Sequence, residues 1–156
     1  MEVIREYYRP DELGVKKCIL ELKKYESQFD LDYLTDDISV SKLFEDIQKG
    51  KENGGEIFVA ETEGKIVGFI SLNIVNKNDE LITKRVDTVY ISDMVVLPEY
   101  RNRGIGKKLL DKAEEFTKER KIKYIKLIVF ADNEVVKKLY EEKGFSSYEV
   151  TMLKKV

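Results

Sequence analysis

The stretch PEYRNRGIGKKLL, residues 98–110, stands where an apolar run gives way to a helix-like pattern. The run before it, DTVYISDMVVL (87–97), reads as a long strand, mostly apolar towards its end, as in a strand covered on both faces. After it, Ile105, Leu109, Leu110, Ala113 and Phe116 recur at helical spacing. The corner therefore joins a strand to a helix start, where backbone N–H groups have no partner within the helix and the helix dipole favours negative charge. Gly104 and Gly106 let an anion approach the backbone, and Arg101, Arg103, Lys107 and Lys108 add positive charge. The fitting ligand is a phosphate, specifically the pyrophosphate of a cofactor. The P-loop pattern GxxxxGK[ST] is absent, and the dinucleotide fingerprint fails because position 109 is leucine. A plain strand-to-helix turn with a solvated basic face is the competing reading.

The chain has 156 residues, 42% of them hydrophobic and 37% charged, and suits one domain, 1–156, with a sizeable core. Its formal net charge is −2, which argues against a surface built for nucleic acid. There is no histidine, which removes Ser-His-Asp chemistry, a histidine base and histidine-ligated zinc; no metal site is expected. The lone Cys18 has no intramolecular disulfide partner. The opening MEVIREYYRPDE does not resemble a signal peptide, and IVGFISLNIV (66–75) is too short to span a bilayer, so the expected location is the cytoplasm, with no membrane partner.

Outward from the corner, the pattern continues in both directions. Residues 2–8 read as a strand; a helix runs from Pro10 to about Tyr25, with Leu13, Cys18, Ile19 and Leu22 at helical spacing. SQFDLDYLTDDIS (27–39) is acidic and turn-rich. A second helix carries Val40, Leu43, Phe44 and Ile47, with Ser39 or Ser41 as its cap and Asn53-Gly54-Gly55 as its end. EIFVAET and KIVGFISLNIVN flank Glu63-Gly64 as a hairpin, and 76–86 reads as a polar loop. KYIKLIVF (123–130) is a further strand. Asn133 caps a helix that ends at Gly144, and SSYEVTMLKKV holds a last strand. The order β-α-α-β-β-β-α-β-α-β predicts an α/β protein with a mixed (α+β) sheet and helices on both faces. Its terminal edge strands suit a homodimer.

At this point the sequence resembles the GCN5-related N-acetyltransferase (GNAT) family. Arg101-x-x-Gly104-x-Gly106 after VVLPEY resembles the family's acyl-CoA motif, and KLIVF, then Asn133, then LYEEKGF (139–145) follow in its order and spacing. The resemblance is specific over about 55–150; the first 50 residues share only the strand–helix–helix layout. It implies a GNAT-like fold and transfer of the acetyl group of acetyl-CoA directly to a primary amine of a small molecule or peptide. It implies that backbone groups of Met94, Val95 and Val96 pair with the pantetheine amides along an open strand edge. It further implies that backbone N–H groups of Asn102, Arg103, Gly104, Ile105, Gly106 and Lys107 hold the pyrophosphate beside Arg101, and that Asn133 contacts the pantetheine arm. Tyr140 would lie near the thioester sulfur and protonate the departing thiolate. The bland alternatives are a core tyrosine at 140 and a plain helix cap at 133.

The amine must lose a proton before it attacks. YISDMVVLPEYRNRGIG (90–106) also resembles polyamine acetyltransferases, down to Asp93 and Tyr100-Arg101. Where that subfamily carries a glutamate base before the aspartate, this chain has Ser92. The expectation is a water relay touching Tyr90, Ser92 or Asp93. Strand alternation sends Asp93 to the face opposite Ser92 unless a bulge intervenes. Glu26, Asp30, Asp32, Asp36 and Asp37 make an acidic rim that either steers a cationic amine or is simply solvated. Two alternatives stand beside the leading reading: a non-catalytic CoA-binding sensor on the same fold, and an acyltransferase using another acyl-CoA, on which the width around Ile70, Leu72 and Met94 bears.

Overall fold

The structure is a computed structural model that describes residues 1–76 and 87–156; the loop expected at 76–86 lies almost wholly outside the described residues. Its elements are β1 (Val3–Glu6), α1 (Glu12–Glu26), α2 (Asp37–Glu52), β2 (Glu56–Thr62), β3 (Lys65–Val75), β4 (Thr88–Val96), α3 (Ile105–Glu119), β5 (Tyr124–Leu127) and α4 (Glu134–Glu142), with short 3₁₀ turns at Arg9–Asp11 and Pro98–Tyr100. The sheet runs β1-β2-β3-β4-β5 in space; its first four strands are antiparallel and β5 lies parallel to β4. The β2–β3 hairpin turns at Glu63 and Gly64, both with positive φ (51° and 75°), the conformation that suits the right-handed twist of flanking strands.

The core has two layers, one on each side of the sheet. On one face α1 and α2 pack Val15, Ile19, Phe44 and Ile47 against Ile57, Val59, Phe69 and Val95. On the other face α3, with α4 beside it, packs Ile105, Leu109, Leu110 and Phe116 against Phe58, Ile70, Leu72 and Ile91. Cys18 belongs to the first layer, and burial pushes its thiol up to about 12, so it stays a thiol near neutral pH. Among the described residues no helix is long and apolar enough to cross a membrane.

Two sequence expectations are corrected. The cap of α2 is Asp36, not Ser39 or Ser41: its Oδ1 accepts from the Ser39 N–H at 2.6 Å, so the serine receives the cap rather than supplying it. The last strand does not form. Residues 145–156 carry no regular structure, although Tyr148, Val150 and Met152 alternate as strand residues do. Alternation marks a face, but a strand exists only through a ladder. The tail meets β5 through Lys126, which pairs with Glu149 at 3.0 Å and lies over the Tyr148 ring.

A candidate acyl-CoA and amine site at a gap in the sheet

β4 and β5 pair only from Thr88–Tyr124 to Ile91–Leu127. β4 runs on to Val96 while β5 stops at Leu127, so Met94, Val95 and Val96 present an edge that β5 does not cover. That is the open edge expected for these three residues. Ile70 and Leu72 are fully buried on the α3 side, and Met94, opposite Ile70, packs against the same layer.

Below the gap the chain turns through Arg101-Asn102-Arg103-Gly104 into α3. Asn102 and Gly104 both take positive φ, 61° and 80°. A Cβ at Gly104 would meet nothing within 4 Å, so there the glycine serves backbone conformation; at Gly106 a Cβ would come 3.2 Å from Leu139, so there it serves the contact of α3 with α4. After the Arg101 N–H, which bonds the Pro98 carbonyl at 3.3 Å, the next N–H seen to bond within the chain is that of Lys108, to the Gly104 carbonyl at 3.1 Å. Among the described residues, the N–H groups of 102–107 have no such bond, as an anion cradle at a helix start requires. The basic side chains are directed elsewhere. Arg101 Nε donates to the Val96 carbonyl at 2.9 Å and its guanidinium lies 5.1 Å from the Tyr25 ring centre. Arg103 donates to the Glu99 carbonyl, Lys107 pairs with Glu142 at 2.8 Å and Lys108 with Glu2 at 3.2 Å. The backbone is therefore the part of the corner left for a ligand.

The far side of the gap is built by α4. Asn133 is 6% exposed and caps this helix, its Oδ1 accepting from the Val136 N–H at 3.4 Å. The same oxygen accepts from Tyr25 Oη at 2.9 Å. Tyr140 is 9% exposed, edge-on to Phe145 at 5.7 Å, with Gly144 in the left-handed region (φ 89°) closing the helix as expected. Burial, and then the charges of Glu26 and Asp93, push the Tyr140 hydroxyl above its ordinary range, so it keeps its proton.

Strand β4 carries the bulge that alternation needed. Asp93 stands opposite Ser71 and Ile91 opposite Leu72, which leaves Ser92 as the extra residue. Asp93 is thereby returned to the face of Tyr90 and Ser92, under α1. Ser71 Oγ donates to Asp93 Oδ2 at 3.2 Å, and Asn73 Nδ2 donates to Ser92 Oγ at 2.7 Å. Burial pushes the Asp93 carboxyl up to about 6, against the Ser71 hydrogen bond. Burial and the Asp93 charge also raise Tyr90.

The acidic rim resolves into separate parts. Asp36 caps α2, Asp30 Oδ1 accepts from the Asp32 N–H in its own turn, and Asp32 and Asp37 are exposed. Glu26, the last residue of α1, is half-buried, and its charge adds to the burial that raises Tyr140 and Asp93. The sequence held a signal for this. Val15, Ile19, Leu22 and Glu26 follow one helical stripe, so Glu26 occupies a core position. Tyr25 and Phe29 extend the neighbouring stripe from Cys18 and Leu22, and Phe29 stacks on Phe130 at 5.7 Å, which is how the end of α1 is clasped to the segment after β5. Among the described residues no group of histidine, cysteine or carboxylate side chains could hold a metal ion.

The family model for the acetyltransferase (GNAT) family matches residues 20–145. An uncharacterized N-acetyltransferase of Methanocaldococcus jannaschii is 35% identical over 107 residues, 69% of this chain and 45% of that one. A spermidine N(1)-acetyltransferase of Thermoplasma acidophilum is 27% identical over 146 residues, 93% of this chain and 79% of that one. Among solved structures, a putative acetyl transferase from Pyrococcus furiosus has a TM-score of 0.73 at 27% identity, each chain covered in full. The chain spans about half the length of the first curated relatives it matches, 45% and 55%. The chain belongs to the acetyltransferase (GNAT) family.

Proposed function

We propose that this member of the GNAT family transfers the acetyl group of acetyl-CoA directly to a primary amine. The observation that carries the reading is the gap between β4 and β5, with unbonded N–H groups at its base and Asn133 and Tyr140 on its flank. A flexible arm lying along Met94, Val95 and Val96 gains strand-like hydrogen bonds there. The pyrophosphate then falls on the backbone of residues 102–107, the part of the corner that its own side chains do not occupy. Arg101 acts in this reading by fixing the end of β4 through Val96 rather than as a direct phosphate clamp.

The gap connects the two faces of the sheet. Tyr140 reaches it from the side of α3 and α4, while Tyr90, Ser92 and Asp93 reach it from the side of α1. The thioester and the amine therefore meet from opposite faces. The neutral amine attacks the thioester carbonyl, the C–S bond breaks and an amide and CoA leave. Tyr140 donates a hydrogen bond to the departing sulfur. An ordinary thiol, pKa about 8.5, is more acidic than an ordinary tyrosine, about 10, so full transfer of that proton is uphill. Tyr140 accordingly stabilises the developing thiolate, and solvent supplies the final proton. Asp93, poised near pH 6, is the sink for protons relayed through water past Ser92 and Tyr90.

The test is calorimetric titration of acetyl-CoA into the protein, followed by a thiol-release assay with primary amines. Micromolar binding and amine-dependent thiol release are expected. No binding by the folded protein would overturn the assignment; binding without turnover would favour a CoA-binding sensor.

A further inference from the structure

The relay through Asp93 leaves one step without an owner. An alkylamine arrives as an ammonium, pKa about 10.4 for a lysine-like group, and some group must take its first proton. Ser92 stands where a carboxylate would be convenient, and Asp93 lies deeper, bonded to Ser71. The missing group comes from a different element.

The last turn of α1 is held over the gap at three points. Tyr25 Oη bonds Asn133 Oδ1 at 2.9 Å, Phe29 stacks on Phe130 at 5.7 Å, and Tyr33 meets the same Phe130 edge-on at 6.3 Å. Glu26 lies between these anchors on the sheet-facing stripe of α1, partly buried. The nearby Tyr33 hydroxyl holds its carboxyl down against the rise that burial causes. Lys23, one turn earlier and 8% exposed, sends its Nζ over the Tyr33 ring, 5.0 Å from its centre, and donates to the Leu34 carbonyl at 3.4 Å. No ion pair of Glu26 occurs among the described residues, so its charge is not consumed by a fixed partner. We infer that Glu26 is the residue that binds the acceptor ammonium and takes its proton, with Tyr33 as the positioning residue that aims it. This deepens the proposed function and rests on it.

The step balances. R–NH₃⁺ gives a proton to the Glu26 carboxylate, leaving R–NH₂ and Glu26–COOH. The nitrogen lone pair forms the C–N bond while the C–S pair leaves on sulfur. The second nitrogen proton passes through water towards Asp93, and with the sulfur protonated the net reaction releases one proton. Burial raises the Glu26 carboxyl, Tyr33 and Lys23 oppose the rise, and Asp93 and Tyr140 face it from β4 and α4. A base raised in this way holds a proton better than an ordinary glutamate.

The experiment is the pH dependence of thiol release from acetyl-CoA, using spermidine, putrescine and a lysine-containing peptide as probes. For whichever probe the wild type uses, Glu26→Gln should lower kcat/KM at pH 7 on the order of 100-fold. The loss should shrink about tenfold per pH unit as the amine deprotonates unaided, approaching the wild type at about pH 9. Tyr33→Phe should lose less, about three- to thirtyfold, with the same pH trend. Acetyl-CoA affinity should stay within a few-fold of wild type in both variants, which shows that they are folded. A loss equal at all pH values, or no loss, overturns the role of Glu26 and leaves the acetyltransferase reading intact. A wild type that binds acetyl-CoA but uses no amine overturns that reading, and the role of Glu26 with it. Should Glu26→Gln fail to fold, Tyr33→Phe decides by the same pH trend.

Discussion

Replacing Asp93 by asparagine should make the protein relatively more stable as pH rises. Asp93 has an ordinary pKa of 3.8 in the unfolded chain and about 6 in the folded one, chiefly through burial. Its folded pKa is raised, so protonation favours folding. That contribution is complete below about pH 3.8, fades as pH rises through 6, and is absent by pH 8. At 1.36 kcal/mol per pH unit, the rise corresponds to about 3 kcal/mol, of which roughly two-thirds falls between pH 4.5 and pH 8. Asparagine does not titrate and can still accept from Ser71 Oγ, which now bonds Asp93 at 3.2 Å. Urea unfolding of wild type and Asp93→Asn at pH 4.5, 6 and 8 should therefore show the variant gaining about 2 kcal/mol on the wild type across that range. The calorimetric counterpart is a relative Tm gain of about 4–8 °C for a chain of this size. A difference that does not change with pH, or changes in the opposite direction, would refute the claim that Asp93 is held as a poised buried base. The same variant should lose amine-dependent thiol release, so that stability and activity move oppositely.

Three further outcomes follow from single contacts. Tyr140→Phe should lower kcat about 10- to 100-fold with little change in KM or Tm, and the wild-type rate should show no limb from Tyr140 below pH 10, because burial holds its proton in place; steady-state kinetics over pH 6–10 check this. Gly104→Ala should cost about 1–2 kcal/mol in urea unfolding through its φ of 80° alone, since its Cβ meets nothing, and should weaken acetyl-CoA binding by calorimetry. Tyr25→Phe should cost about 1 kcal/mol by removing the bond to Asn133, while the cap on Val136 remains and α4 keeps its helicity by circular dichroism.

The corner at 98–110 was legible because its meaning is local: positive φ, bare backbone and a helix start all follow from residue types in one short stretch. The hairpin at Glu63-Gly64 and the end of α4 at Gly144 were legible for the same reason. The Asp36 cap was missed because Thr35, Asp36, Asp37, Ser39 and Ser41 could each supply an oxygen, and only the entry angle of the chain chooses among them. The tail shows the reverse error. Tyr148, Val150 and Met152 satisfy the period of a strand, yet a strand is a relation between two segments, and no local pattern announces the partner. The charge of Arg101 suggests phosphate; its contacts to the Val96 carbonyl and the Tyr25 ring join distant segments and are announced by no local pattern.

The bulge at Ser92 and the stripe ending at Glu26 solve one problem from two sides. A sheet with a gap can admit a donor from one face and an acceptor from the other only if the proton-accepting groups stand on the acceptor's face. Strict alternation would have sent Asp93 towards α3, away from α1; one extra residue in β4 reverses that without changing any residue type. On α1, carrying the core stripe one step beyond Leu22 with a glutamate instead of an apolar residue places a second carboxylate opposite. Neither device is conspicuous alone, since a bulge shifts one pairing and a glutamate at a helix end is ordinary. Together they bring two carboxylates raised by burial, whose charges both raise Tyr140, to the side of the gap between β4 and β5. Burying two carboxylates in this way costs stability, and groups perturbed by burial and by each other are what proton-transfer chemistry uses.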